Sequence, residues 1–252
     1  MSEKPATRLY IDSDLADGAV VGLSPDHAHF LRSVLRLEPG RWVTLFNGRD
    51  GEWSARIDGI GKGWASLAVG TRLREQSASP DVWLYFAPIK RARLDFLVQK
   101  ATELGVGRIQ PVVTQRTIVE RVKSERLSAN VIEASEQCER LDLPEIGEPI
   151  RMDKALADHP ADRTLVACVE FGEAQPIVDV VSSLPAGAPV TLLIGPEGGF
   201  TPEERFLLES RTNVRFAGLG PRILRAETAG LAALTVWQAL AGDWAQTLPN
   251  RY

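Results

Sequence analysis

Thr191–Glu204, TLLIGPEGGFTPEE, is the stretch on which the fold of this 252-residue chain turns. Apolar and β-branched residues up to Ile194 run into a turn holding Gly195, Gly198 and Gly199, and the chain restarts at Thr201-Pro202-Glu203-Glu204. That tetrapeptide has the form of an N-cap, a proline at the first helical position and a capping-box glutamate. The segment therefore reads as strand, glycine turn, helix. A phosphate cradle would need a Lys and a Ser/Thr after the last glycine, or a G-x-G-x-x-G run into the helix. Neither is present, and Pro196 and the Glu197 carboxylate stand where phosphate oxygens would sit. Two uses of the glycines stay open: strand–helix packing, or a cofactor held through backbone groups.

A second strand exit of the same type follows in FAGLGPRILRAETAGLAALTVWQAL, Phe216–Leu240. Gly218-Leu219-Gly220-Pro221 leads through Arg222, Ile223, Leu224 and Arg225 into a helix carrying Glu227 and Thr228 in its first turn. Two neighbouring loops of this kind can build one pocket, and apolar Ile223 and Leu224 suit a flat neutral base better than a polyphosphate. Arg222 and Arg225 are left for an anionic partner or for salt bridges to Glu197 or Glu227.

Upstream, apolar runs VWLYFAP, RIQPVVT, TLVACVE, VTLLIG and VRFAGLG alternate with helical patterns at 92–103, 124–141, 177–184, 202–211 and 226–244. Such alternation predicts a largely parallel sheet with helices on both faces, its ligands gathered at the carboxyl ends of the strands. Before the polar linker 74–80, REQSASP, the rhythm differs. RLYI, AVVGL, WVTLF, EWSARIDGI and WASLAVG are short, aromatic and β-branched, and a single helix, PDHAHFLRSVLRL, interrupts them behind Ser24 as N-cap and Pro25. The expectation is a small β-barrel domain over 1–73 and an α/β domain over 81–252.

Composition agrees with a globular protein, 44% hydrophobic and 25% charged. No run is long and apolar enough for a membrane span, and the N-terminus lacks a signal-peptide centre, so a cytoplasmic protein is expected. Cys138 and Cys168 form no metal-type spacing and read as small buried hydrophobes. The net charge of −4 gives no general attraction to phosphate, so a nucleic-acid partner would have to meet local basic runs such as Ile89–Lys100 and Arg116–Arg126.

LLIGPEGGFTPEE and LGPRILRAETA, with VQKATELGV (Val98–Val106) and EQCERLDLPEI (Glu136–Ile146), resemble the RsmE family of SPOUT methyltransferases. HFLRSVLRLEPG and the β-rich start resemble that family's PUA-like RNA-binding domain, so the likeness spans nearly the whole chain. It implies a trefoil-knotted parallel sheet, a homodimer, and S-adenosyl-L-methionine as cofactor. The implied reaction is methylation of N3 of a uridine in 16S rRNA, in the small ribosomal subunit, with no metal and no membrane. Cofactor contacts are implied at Ile194, Gly195, Glu197, Gly198, Leu219, Gly220, Ile223, Leu224 and Thr228. RNA contacts are expected at Arg8, Arg32, Arg36, Lys90, Arg116 and Arg140. Two departures stand out: Ala226 where many relatives carry a threonine, and Glu139 in place of a small residue.

Uracil N3–H is about as weak an acid as a tyrosine phenol, with a pKa near ~10. A glutamate base raised to about 6–7 would still fall ~3 units short, roughly 4 kcal/mol. Arg225, or Arg222, stabilising the developing uridinate through its carbonyl oxygens is therefore the favoured catalytic group, and Glu227 as base comes second. The alternatives are a non-catalytic RNA-binding protein on the same fold, or a SPOUT enzyme acting at another RNA position.

Overall fold

The computed structural model describes residues 4–119, 122–185 and 187–246. The chain divides into two compact units: one takes residues up to Ala78 together with Ser135–Leu143, the other Ser79–Ala134 and the chain from Pro144 onward.

The first unit contains β1 (Arg8–Tyr10), β2 (Val20–Leu23), α1 (Pro25–His29), β3 (Trp42–Phe46), β4 (Glu52–Gly61) and β5 (Trp64–Arg74). They form a five-stranded sheet in the order β1-β3-β4-β5-β2. Strand alternation sends Val43, Leu45, Ala55, Ile57, Leu67 and Val69 to one face, where they meet Leu9, Val21 and Leu31 in a single core. The Ser24 side chain caps α1 as expected, but the helix is shorter than its pattern and passes into a π-helical turn at Phe30–Val34. Arg36 then takes a left-handed φ of 55°, which ends the helix and lets Leu37 pack back on the core.

Ser135–Leu143 packs on the sheet at its Arg8 end. Arg8 donates from Nε to Glu52 at 2.6 Å, from Nη1 to the Ser135 carbonyl at 2.7 Å and from Nη2 to the Arg140 carbonyl at 2.6 Å. Its guanidinium also lies 3.6 Å from the centroid of the Phe46 ring. Arg74 completes the clamp, donating to both Glu52 oxygens and to the Glu139 carbonyl. Arg8 and Arg140, read from sequence as RNA contacts, have side chains only 9% and 7% exposed. Arg8 spends its donors on Glu52 and two carbonyls, and Arg140 is buried with its Nε on Asp142 at 3.1 Å, so neither stands open to a phosphate.

The second unit contains β6 (Val82–Phe86), α2 (Arg91–Glu103), β7 (Arg108–Val113), most of α3 (Ser124–Cys138), β8 (Glu145–Ile146), β9 (Ile150–Arg151), α4 (Met152–Ala157), β10 (Thr164–Cys168) and β11 (Gln175–Pro176). It continues with α5 (Ile177–Ser182), β12 (Val190–Ile194), α6 (Pro202–Glu209), β13 (Val214–Gly218) and α7 (Ala226–Leu240). The sheet runs β11-β13-β10-β12-β6-β7-β8, with β9 on β7, and every pairing in it is parallel. All five residues of β12 are buried, as a strand covered on both faces requires. Helices α2, α5 and α7 lie on one side and α4 and α6 on the other. Gly230 inside α7 has a packing reason: a Cβ there would come within 3.1 Å of Leu97 of α2. β13 is inserted between β10 and β11, strands joined earlier in the chain, which is the strand order a threaded C-terminus needs.

His159, after α4, is 4% exposed and shares a hydrogen bond of 2.9 Å with Thr191. Burial, reinforced by the Arg211 and Arg163 charges, holds its pKa down from 6.5 to about 4. The folded chain thus refuses a proton that the unfolded chain accepts, so stability is lost as pH falls from 6.5 towards 4. The loss should reach at most about 3 kcal/mol. Urea unfolding across that range should show the slope in the wild type and a flatter one in His159→Gln.

Candidate functional site

β10, β12 and β13 are parallel neighbours, so their carboxyl ends fall on one edge, with Cys168 opposite both Ile194 and Ala217. The three loops that follow enclose a cavity of about 500 Å³. Ile194, Gly195, Glu197, Gly198, Leu219, Gly220, Ile223 and Leu224 all line it, as does Arg222. Thr228, Arg225 and Glu227 do not. Helical geometry explains Thr228: Ala226 and Ala229 carry the inward face of α7 and line the cavity, and of the two residues between them Glu227 is buried and Thr228 turns out to solvent. Arg225 is the N-cap residue of α7 and points outward.

The glycines of the first loop have separate causes. Gly199 needs its φ of +67° for a turn in which its N–H donates to the Pro196 carbonyl at 2.8 Å. At Gly195 the Phe200 ring would stand 3.1 Å from a Cβ, and at Gly198 the Arg116 side chain 3.2 Å. Close approach was expected from sequence, and protein side chains make it at these two positions. In the second loop Gly220 adopts a φ of +93°.

The capping box at α6 is present, and it does a second job. Thr201 N–H donates to Glu204 Oε2 at 2.9 Å, while Glu204 Oε1 accepts from the Gln115 N–H at 2.7 Å. That bond fixes the loop after β7, from which Arg116 reaches the Gly198 carbonyl at 2.5 Å. Arg116, read as an RNA contact, is thus a wall of the cavity.

Sequence reasoning missed three groups, Arg93, Phe171 and Arg205. Arg93 of α2 lies between the two glycine loops, 3.8 Å from Glu197 Oε1 and 3.5 Å from Glu227 Oε1. It compensates Glu227, which is 9% exposed and whose Oε2 has no hydrogen-bond partner among the described residues. The basic run Ile89–Lys100 was the only sequence signal for Arg93. Phe171 stands 71% exposed on the cavity rim, its carbonyl held by Arg205 at 2.9 Å. Cys168 lines the floor, and burial pushes its thiol up to about 12, which leaves it inert. Cys138 is half-buried rather than buried.

With Arg116 and Arg205 engaged on backbone carbonyls, Arg222 is the cationic wall residue without a hydrogen bond or ion pair among the described residues. Glu170 and Glu197 line the same cavity from the other loops. A cavity with carboxylates, apolar walls and one free cation disfavours polyphosphate and suits a neutral base attached to a positively charged group. Arg32, Arg36 and Lys90 are exposed. In the basic run Arg116–Arg126, Glu120 and Arg121 lie outside the described residues.

The sequence matches the family model of an RNA methyltransferase domain over residues 76–238 and that of an RNA methyltransferase PUA domain over residues 23–67. It is 38% identical to the ribosomal RNA small subunit methyltransferase E of Rickettsia conorii, over 90% of this chain and 93% of that protein. The crystal structure of the ribosomal RNA small subunit methyltransferase E from Neisseria gonorrhoeae, bound to S-adenosyl methionine, superposes with a TM-score of 0.85 at 30% identity. That match covers 95% of this chain and 99% of that one. A putative methyltransferase of Legionella pneumophila, in complex with the same cofactor, gives 0.83 at 33% identity, over 94% of this chain and 98% of that one.

Proposed function

The chain belongs to the ribosomal RNA small subunit methyltransferase E family, of SPOUT fold with a PUA-like N-terminal domain, and on that premise we propose that it methylates N3 of one uridine in small-subunit ribosomal RNA. It is an S-adenosylmethionine-dependent methyltransferase acting on that RNA. The observation that carries the reading is the cavity at the ends of β10, β12 and β13. Its 500 Å³ fall within the usual range for such ligands. Its carboxylates match a cofactor carrying sulfonium and ammonium charges, and its apolar Leu219, Ile223 and Leu224 match an adenine. When bound, that cofactor supplies an electrophilic methyl group.

The protein's share of the chemistry is to make N3 a nucleophile. Arg222, free and on the cavity wall, is placed to hold the uracil carbonyl oxygens as negative charge spreads onto them. The outward position of Arg225 shifts the preferred role from that residue to Arg222. Glu227 is committed to Arg93 and lies off the cavity wall, which disfavours it as base.

Two copies are needed in this reading. Phe96 of α2 is 48% exposed and offers an apolar contact to a second copy. Phe96→Asp should convert a dimer to a monomer in light scattering and abolish transfer with it. Among the described residues no helix is long and apolar enough to cross a membrane, and a cytoplasmic protein working on the ribosomal subunit fits the substrate.

The test is methyl transfer from labelled S-adenosylmethionine to small subunits of a strain lacking the gene, followed by mapping of the modified base. Label at uridine N3 is expected. Label on a ribose or another base would refute the position, and no transfer would refute the activity.

A further inference from the structure

Among the described residues, Ser135–Leu143 covers the outer face of the first unit's sheet at its Arg8 end, while Trp42, Arg56 and Val20 further along are exposed. Strand register places Trp42 beside Arg56, Arg56 beside Ala68, and Ala68 beside Val20, in one row across β3, β4, β5 and β2. Trp42 is 37% exposed, Val20 70%, and Trp64, at the start of β5, 54%. Large apolar groups so exposed are a cost to a chain that meets only water.

Glycines show how the two indoles lie. A Cβ at Gly61 would come within 2.2 Å of the Trp64 Nε1, and one at Gly59 within 3.0 Å of its six-membered ring. Trp64 therefore lies flat on β4 across two glycines, one face on the backbone and the other open. The Trp42 ring likewise crosses to Gly70, where a Cβ would stand 3.9 Å from its Cζ3. Glycine weakens a strand interior and marks close approach of a partner. Here two of them, Gly59 and Gly61 of β4, make room for the Trp64 ring laid down as a platform, while the Trp42 ring stands at ordinary contact distance from Gly70.

Charge selects the occupant. Arg56 sits in the row itself, its Nε donating to the Gly40 carbonyl at 3.3 Å, and Lys62 in the turn beside Trp64 has no ion-pair partner among the described residues. Asp58, between them in sequence, is the one acid of that part of β4. Open aromatic faces with cations at their edge are what single-stranded nucleic acid requires: bases stack on the rings and phosphates meet the cations.

We propose that this face, with Trp64 and Trp42 as stacking platforms, binds an unpaired segment of RNA. The proposal rests on the RNA-directed reading above but places the contact on a surface that the basic-residue expectations left out. Exposed tryptophans on a glycine floor bind by stacking, so recognition is of unpaired bases and tolerant of their identity.

The test titrates the full-length protein against a short fluorescein-labelled single-stranded RNA and the same RNA annealed to its complement. Trp64→Ala should weaken single-strand binding about tenfold, as loss of one stacked base does. Trp64→Phe should retain most of it. Gly61→Ala keeps the tryptophan but displaces the ring, and should weaken binding as Trp64→Ala does, with an unchanged melting temperature. Equal affinity for single and double strands, or binding indifferent to Trp64 and Trp42, would overturn the proposal. So would a change of oligomeric state in Trp64→Ala, which would make the face an interface between copies. The outcomes are separable from the activity: a protein that binds through the tryptophans but transfers no methyl leaves this inference standing and removes the other.

Discussion

Arg222→Ala should lower the turnover number ~10²–10³-fold, the usual cost of removing one donor to a developing oxyanion, while cofactor affinity stays unchanged. The expectation follows from where the side chain stands. Arg222 lines the cavity, is exposed, and makes no hydrogen bond or ion pair among the described residues, so its removal strands no partner and leaves the fold intact. Arg222→Lys keeps the charge but loses the planar fork, and should recover only part of the rate. Arg225→Ala, outside the cavity wall, should cost less. Single-turnover transfer with saturating RNA gives the chemical step, and calorimetric titration with S-adenosylmethionine gives the affinity. If Arg225→Ala lost the rate and Arg222→Ala did not, the role would return to Arg225. If Glu227→Gln alone lost it with cofactor binding intact, general-base catalysis would replace both.

Local rules were legible in the chain. The capping box at Thr201, the Ser24 cap and the apolar runs of β6, β7, β10, β12 and β13 are set by neighbours a few residues away, so pattern and structure coincide there. The short α4, Met152–Ala157, was not anticipated: six residues carry too little periodicity to be read. Depth was legible only in part. Eight of the nine residues assigned to the cofactor line one cavity because strand-end loops declare themselves by glycine and proline, whereas Thr228 needed the phase of a helix whose start lay within a residue or two of it. Cations were the least legible class. Arg8 and Arg140 carry the same local signal as Arg32, yet the partners that bury Arg8 stand 127 and 132 residues away in sequence. Ser135–Leu143 extends a helical pattern, and nothing local to it announces that it belongs with the N-terminal sheet.

That sheet depends on the Arg8–Glu52–Arg74 clamp, and Arg8→Met should destabilise the protein by about 3–5 kcal/mol, the cost of breaking one partner out of a buried ionic cluster. The side chains of Arg8 and Glu52 are 9% and 11% exposed, so the change removes charge compensation where water cannot replace it. Burial alone would raise the Glu52 carboxyl, but Arg74 and Arg8 hold it below the usual carboxylate range. Its contribution is therefore present at neutral pH and is lost as pH falls through the folded value, and Arg8→Met should blunt that acid-side loss. A buried ionic cluster can often be replaced by apolar residues of similar size without penalty. Here the replacement should fail, because the two guanidinia also satisfy the carbonyls of Ser135, Glu139 and Arg140. Arg8→Met/Glu52→Leu/Arg74→Met would leave all three without those donors, at about 1–3 kcal/mol for each buried acceptor. Urea unfolding measures the total, and hydrogen exchange locates it: amides of Ser135–Leu143 should lose protection in Arg8→Met before those of β10 and β12. A triple variant as stable as the wild type would show that neither the charge pairing nor the capped carbonyls are needed to hold this segment on the sheet, and that apolar contact suffices.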